Sequence, residues 1–278
     1  MMDLSNENII HLKKGDFEFL QFRKLLEYSD CLSHGYSLGI NRNFRTGRAN
    51  GQKISNEEFL KAINDYKDFC NAVNLNYKNI IKTKQNHTDN IKTIQGKNNI
   101  DFPDIENQKD TDGLITTKKD LILTTTNADC ILLLFFDPVK KVIANVHSGW
   151  KGTIKRISVK TVRKMKDEFD CIPKDIICAI CPSIRKCHFE VDNDVYELFL
   201  NEFTDIKNFE EIANKDDKKN KWYIDTVAIN KTILKNEGLL DENIIDSKIC
   251  SVCNRDYIHS YRVEKENYGL SSAIISLI

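Results

Sequence analysis

The sequence predicts an α+β fold in one domain spanning residues 1–278, on three observations. Strand-like apolar runs and helix-like periodicities are mixed without the regular βαβ rhythm of a doubly wound sheet. The densest strand region lies at the centre, between Leu121 and Val146, with helical patterns on both sides. No internal repeat and no Pro/Gly/Ser-rich linker divides the 278 residues, a length that can bury one large core.

Taken in order, Phe59, Leu60, Ile63, Tyr66, Phe69, Cys70 and Val73 recur at three and four residues, one face of a helix over 56–73. Residues 79–84 read as a short strand leading into Lys84-Gln85-Asn86-His87. The polar stretch 96–111, with Pro103, reads as a surface excursion. Residues 121–126 form a strand, broken at Asn127-Ala128-Asp129. The run Ile131 to Phe136 follows, then Asp137-Pro138-Val139-Lys140 with turn chemistry, then Val142 to Val146. These two runs make a hairpin, and antiparallel pairing brings Cys130 and His147 to the same end of it. After the loop Gly149 to Gly152, the positions Ile154, Ile157, Thr161, Val162, Met165 and Phe169 mark a helix whose first N–H groups face the loop that carries His147. A strand over 175–181, a helix over 192–203, a charge-rich exposed or mobile stretch over 207–221, a helix over 225–237 stopped by Gly238, and a closing strand over 271–278 complete the reading.

Composition excludes several classes. Lys plus Arg equals Asp plus Glu at 41 each, which argues against a broad basic nucleic-acid surface. The longest apolar run, Ile131 to Phe136, is far too short to cross a bilayer. Residues 1–14 lack the apolar core of a signal peptide, and nine cysteines without one suggest reduced thiols, so the cytoplasm is the expected compartment. An odd cysteine count also fits poorly with a closed disulfide framework.

The chemistry concentrates in His87, Cys130 and His147, each at a break between apolar runs. Taken singly, a cysteine beside a strand is an ordinary small core residue, and a lone histidine is an ordinary hydrogen-bonded one. Together, two imidazoles and a thiolate supply three ligands to Zn²⁺ and leave the fourth tetrahedral position open, the arrangement of a catalytic site. Gly149 and Gly152 flank His147 where the backbone must approach something closely. Asp129 is either an orienter of one imidazole or an ordinary turn carboxylate, and the first reading is preferred. A second constellation, Cys178-x-x-Cys181 and Cys250-x-x-Cys253 with Cys187-His188 nearby, can hold structural zinc or an iron–sulfur cluster. The long separation between its pairs and the strand-like setting of the first weigh against it.

The residues match a known family. The segments Lys84-Gln85-Asn86-His87, Asp112-Gly113-Leu114-Ile115-Thr116, Asn127-Ala128-Asp129-Cys130, His147-Ser148-Gly149-Trp150-Lys151-Gly152-Thr153, Cys181-Pro182-Ser183-Ile184 and Ser260-Tyr261-Arg262 resemble the YfiH/YlmD family. Its members carry the labels laccase-domain protein or multicopper polyphenol oxidase and were later described as zinc-dependent purine nucleoside phosphorylases with adenosine deaminase activity. The resemblance implies a layered sandwich of two β-layers covered by helices, a metal held by His87, Cys130 and His147, and purine nucleosides and phosphate as the small-molecule partners. Asn86, Leu132, Lys151, Cys181, Val263 and Leu270 stand where the family more often has Thr, Pro, Arg, Gly, Arg and Arg. Lys151 cannot offer the bidentate fork of an arginine. Cations expected to meet phosphate or substrate are Arg42, Arg45, Lys151 and Arg262, each of which is otherwise a solvated surface charge.

Two other readings remain open on sequence, and a third is excluded. Cys130 as a nucleophile with His147 or His87 as base would make a metal-independent amidohydrolase, and editing of cell-wall precursors is proposed for relatives. The many cysteines also suit a non-enzymatic zinc or redox protein. A multicopper oxidase needs more histidines than the six present.

Overall fold

The computed structural model describes residues 3–49, 52–96 and 109–278. Two six-stranded sheets pack face to face. The first orders its strands Ile9–Lys14, Phe17–Phe22, Leu32–Ser37, Ser271–Leu277, Ile122–Asn127 and Ile80–Lys82. The second orders Ile244–Asp246, Ile177–Ile180, Ile131–Asp137, Val142–Ser148, Gly113–Thr116 and Ile91–Thr93. This is the α+β layered sandwich that the resemblance implied.

Why the central strands are apolar without alternation follows from the layers. Leu132, Leu134 and Phe136 point into the core between the sheets, where they join Leu20, Tyr36, Leu123 and Ile275. Ile131, Leu133 and Phe135 point the other way, against Val162, Met165, Val227 and Leu234 of the covering helices Ile157–Phe169 and Thr226–Asn236. A strand buried on both faces reads as a continuous apolar run. The first sheet's outer face is covered by the helix Asn56–Ala72, whose Tyr66 and Phe69 meet Phe17, Phe19 and Ile274. That helix starts at a capping box: the Ser55 hydroxyl accepts from the Glu58 N–H, and the Glu58 carboxylate accepts from the Ser55 N–H. One polar residue pins the sheets together. Asn145, fully buried on the second sheet, donates to the Leu123 and Ala273 carbonyls of the first and accepts from Thr125 Oγ1.

The central hairpin forms as expected, with Ile131 opposite Ser148 and Leu132 opposite His147. The helix expected from Ile154 onward is instead two. Trp150–Ile154 begins directly after Gly149, and Ile157–Phe169 follows a break at Arg156, whose φ is +56°. Arg156 is held there by Glu202 and Asp205. The stretch 207–221, read as exposed or mobile, is structured. Phe209–Ile212 is a short helix, and Ala213–Asp216 pairs with Lys221–Ile224, which also pairs with Glu190–Val191. Buried Phe209 and Ala213 anchor it, and Trp222 stacks on Tyr196 at 3.5 Å between ring centroids. A few apolar side chains among many charges suffice to dock it. Most of the excursion over 96–111 lies outside the described residues.

Candidate metal centre

The hairpin's open end builds the centre. Cys130, Leu132 and Leu134 share one strand face by the period of two, as do Ile143, Asn145 and His147 on the partner strand, so Cys130 and His147 emerge on the same side. His87 arrives from the loop after Ile80–Lys82, with φ of +56°, a left-handed conformation uncommon for a residue bearing a Cβ. Its Nε2 lies 3.8 Å from Cys130 Sγ, and the His87 and His147 rings meet edge to face with centroids 4.9 Å apart. All three donor atoms fall within 4.8 Å of one another.

Asp112 assembles this arrangement. Fully buried, it accepts the N–H groups of Asn86, His87 and Thr88 at 3.1, 3.1 and 2.9 Å, the Thr88 hydroxyl at 2.7 Å, and His147 Nδ1–H at 2.7 Å. One carboxylate thus sets the loop that carries the first imidazole and the tautomer of the second. With His147 Nδ1 engaged, Nε2 faces the centre. Burial works against the Asp112 carboxylate, but the His147 and Thr88 hydrogen bonds outweigh it and hold its pKa down to about 2.

The preferred reading of Asp129 is therefore corrected. Its carboxylate accepts from Ser251 Oγ at 2.6 Å and from the Arg262 N–H at 2.7 Å, and the imidazole's partner is Asp112. Asp112 was visible only as part of a motif. Its sole sequence signal was an aspartate preceding a glycine at the start of a buried strand.

Electrostatics favour a thiolate–imidazolium pair, in which a metal ion would take the place of the His147 Nε2 proton. Burial pushes the Cys130 thiol up, yet the neighbouring His147 and His87 imidazoles bring it down to about 6. Burial likewise disfavours the His147 imidazolium, but the Cys130 thiolate and Asp112 raise it to about 9. A thiolate beside two imidazoles is a donor set that a divalent metal satisfies. Space agrees: a Cβ on Gly149 would sit 2.8 Å from His87 Cδ2 and 3.0 Å from Cys130 Sγ, so only glycine leaves room between the ligands.

The centre opens into a cavity of about 1100 Å³. Phe59, Trp150, Phe189, Tyr261 and Tyr268 line it with Arg45, Lys82 and Arg262. The Arg45 guanidinium lies 4.3 Å from the Tyr268 ring centroid and donates to the Tyr268 carbonyl at 2.9 Å, while Arg262 donates to the Glu190 carbonyl at 3.0 Å. Lys82 was not singled out in the sequence. Its ammonium is buried against the Phe44 carbonyl (2.9 Å) and the Tyr66 hydroxyl (2.8 Å), and burial, with Arg45 adding to it, pulls its pKa down to about 7. The other two cations lie apart. Arg42 pairs with Asp65 and Asp68 at 2.9 and 2.6 Å beside the helix Asn56–Ala72, and Lys151 is exposed over its neighbour Trp150. Neither is among the residues lining the cavity. Both charges serve local contacts instead, although their neighbours Trp150 and Arg45 line the cavity.

The comparisons agree on kinship. The family described as multi-copper polyphenol oxidoreductase laccase matches residues 45–278. A purine nucleoside phosphorylase of Clostridium acetobutylicum is 30% identical over 267 residues, covering 94% of this chain and 96% of the relative. The purine nucleoside phosphorylase YlmD of Bacillus subtilis is 30% identical over 61% of this chain and 59% of its own length. The chain spans about half the length of other curated relatives it matches, 46% of mouse LACC1 and 50% of human LACC1. Among solved structures, Bacillus licheniformis hypothetical protein YfiH superposes with a TM-score of 0.82 at 22% identity, over 95% of this chain and 100% of that one. With a family match across most of its length and this fold, the chain belongs to the YfiH/YlmD family of multi-copper polyphenol oxidoreductase laccase proteins.

Proposed function

We propose that this protein is a zinc-dependent purine nucleoside phosphorylase with adenosine deaminase activity, taking adenosine, inosine, guanosine and methylthioadenosine. The observation that carries the reading is a three-donor centre, His87, Cys130 and His147, opening on one side into an aromatic-lined cavity that also holds cations. Relatives named purine nucleoside phosphorylase support the substrate class.

The ligand set fits zinc, which when bound supplies Lewis acidity toward an oxygen at the open corner. The chain's own groups do the rest. Tyr261, Tyr268 and Trp150 offer ring faces for a planar base, and Arg45 and Arg262 balance the charge of phosphate. In phosphorolysis a phosphate oxygen bonds to the ribose anomeric carbon as the glycosidic C–N bond breaks. The bond's electron pair leaves with the purine, which takes up a proton. In deamination a water oxygen replaces the amino group at C6 and ammonia departs. Lys82, buried at the cavity wall with its pKa near neutrality, is suited to hold or release a proton there. Nine free cysteines fit a reducing cytoplasm. No helix among the described residues is long and apolar enough to cross a membrane.

The test is direct. Pure protein incubated with adenosine gives adenine and ribose 1-phosphate only when phosphate is present, and inosine in either case, with both reactions lost on chelation. Absence of adenine and inosine alike, with no chelator effect, refutes the reading.

A second reading rests on one observation: Asp112, His147 and Cys130 form a carboxylate–imidazole–thiolate chain, the geometry of a cysteine hydrolase. Iodoacetamide labelling of Cys130 in active protein purified without metal supports that version.

A further inference from the structure

We propose that Cys187, His188, Cys250 and Cys253 form a second, closed metal site, a structural zinc centre that fastens together two segments of the cavity wall. The four donor atoms lie within 4.8 Å of one another. His188 Nδ1 is 3.2 Å from Cys187 Sγ and 3.6 Å from both Cys250 Sγ and Cys253 Sγ. Cys187 Sγ is 3.6 Å from Cys250 Sγ and 3.9 Å from Cys253 Sγ. Zinc–sulfur bonds of about 2.3 Å and zinc–nitrogen bonds of about 2.0–2.1 Å, set at tetrahedral angles, place ligand atoms roughly 3.6–3.8 Å apart. Four of these five edges, at 3.6–3.9 Å, are close to that size, and the edge between the adjacent residues Cys187 and His188 is shorter.

Other readings of the cluster fit less well. None of these sulfurs is at disulfide distance, about 2.05 Å. An iron–sulfur cluster divides its ligands between metals, whereas these four surround one point. Three thiolates and an imidazole are a soft set that selects zinc, and with four protein ligands the shell is full. Binding displaces the three thiol protons, while neutral His188 coordinates through Nδ1 and keeps its proton on Nε2.

The site joins what the chain separates. His188 and Cys250 are 62 positions apart. Cys187 and His188 follow Ile184 and precede Phe189, both in the cavity wall, and Cys253 leads toward Tyr261 and Arg262 in the same wall. Backbone bonds already bring the segments together, from Ser183 N–H to the Ile249 carbonyl and from Ser251 N–H to the Ser183 carbonyl. Ser251, next to Cys250, donates to Asp129, next to Cys130. One hydrogen bond therefore links the closed site to the open one.

Metal analysis of full-length protein purified under reducing conditions decides. Wild type is expected to carry a second equivalent of zinc. Cys130→Ala loses one equivalent and keeps the other, whereas Cys187→Ser with Cys253→Ser loses the one that Cys130→Ala keeps. If that double variant does not fold, Cys130→Ala combined with His87→Ala decides alone: a retained equivalent upholds the proposal, and none overturns it. Unchanged zinc in the folded Cys187→Ser, Cys253→Ser protein overturns it as well, as does a wild-type intact mass lower by two hydrogens with the disulfide mapped to these cysteines. Failure of the first centre gives a different pattern, zinc content equal in wild type and Cys130→Ala with loss only at the second cluster.

Discussion

The two cysteine–histidine clusters flank Asp129 and are built in opposite ways. His87, Cys130 and His147 offer three donors, two of them on the rigid hairpin of the central sheet, and they face a large cavity. Cys187, His188, Cys250 and Cys253 offer four donors, on a loop and a turn near the surface. The first is organised from behind by Asp112, which locks one imidazole and the loop of the other. The second is set by backbone hydrogen bonds between its two segments, Ser183 N–H to the Ile249 carbonyl and Ser251 N–H to the Ser183 carbonyl, with no buried carboxylate behind its donors comparable to Asp112 among the described residues. Ligand number and backing therefore separate chemistry from architecture: a preorganised shell with an open position can bind and turn over a substrate, and a full shell across two turns can only stabilise them.

The contrast can be broken most severely at Cys130. Cys130→Ala is expected to lower kcat/KM for phosphate-dependent adenosine cleavage by about 10³-fold or more, the worth of several kcal/mol of Lewis-acid stabilisation, while circular dichroism stays unchanged. Substantial residual activity would move the chemistry elsewhere. Asp112→Asn comes next. An amide N–H turned toward His147 Nδ1–H or the 86–88 amides cannot replace the carboxylate, so zinc affinity at the first centre should fall about 10–100-fold, read by competition with a chromophoric chelator. Wild-type affinity in this variant would mean that the ligands are held without that backing.

At the second site, Cys187→Ser with Cys253→Ser should lower the thermal midpoint by on the order of 5 °C. An unchanged midpoint would make the site dispensable for stability even if it binds metal.

The most pH-dependent effect belongs to Lys82. Its pKa falls in the fold from the usual 10.5 to about 7, so between those values the unfolded chain binds more protons than the folded one. Stability then rises with pH across that window, and burying the charged amine is most costly below pH 7. Lys82→Met should therefore stabilise the protein most at pH 6, and the advantage should shrink by a few kcal/mol toward pH 10.5 in denaturant titrations. A pH-independent difference would place the amine's pKa near its ordinary value.

Much of the scaffold was legible in the residues. The hairpin followed from two apolar runs around Asp137-Pro138, and the helices from three- and four-residue spacing. The N-terminal strands Ile9–Lys14, Phe17–Phe22 and Leu32–Ser37 were not read, although they supply half of the first sheet. Phe17 and Phe19 face one side and Leu20 and Phe22 the other, so no single alternation runs through them. The strand-like setting that weighed against Cys178 and Cys181 as a ligand pair holds in the structure. Three positions along a strand turn the two sulfurs to opposite faces, one toward the covering helices and one between the sheets, and both are buried far from ligand duty. The same spacing at Cys250 and Cys253 falls in a turn, where both sulfurs reach one point.

Local order along the chain was enough to single out His87, Cys130 and His147 as candidates and to bring the last two to one hairpin end, because strand breaks and hairpin pairing are short-range consequences of side-chain pattern. Which carboxylate backs the imidazoles, which cations border the cavity, and which cysteines gather with His188 were decided by contacts between segments dozens of residues apart. Such contacts depend on how two sheets register and pack, which no local periodicity encodes.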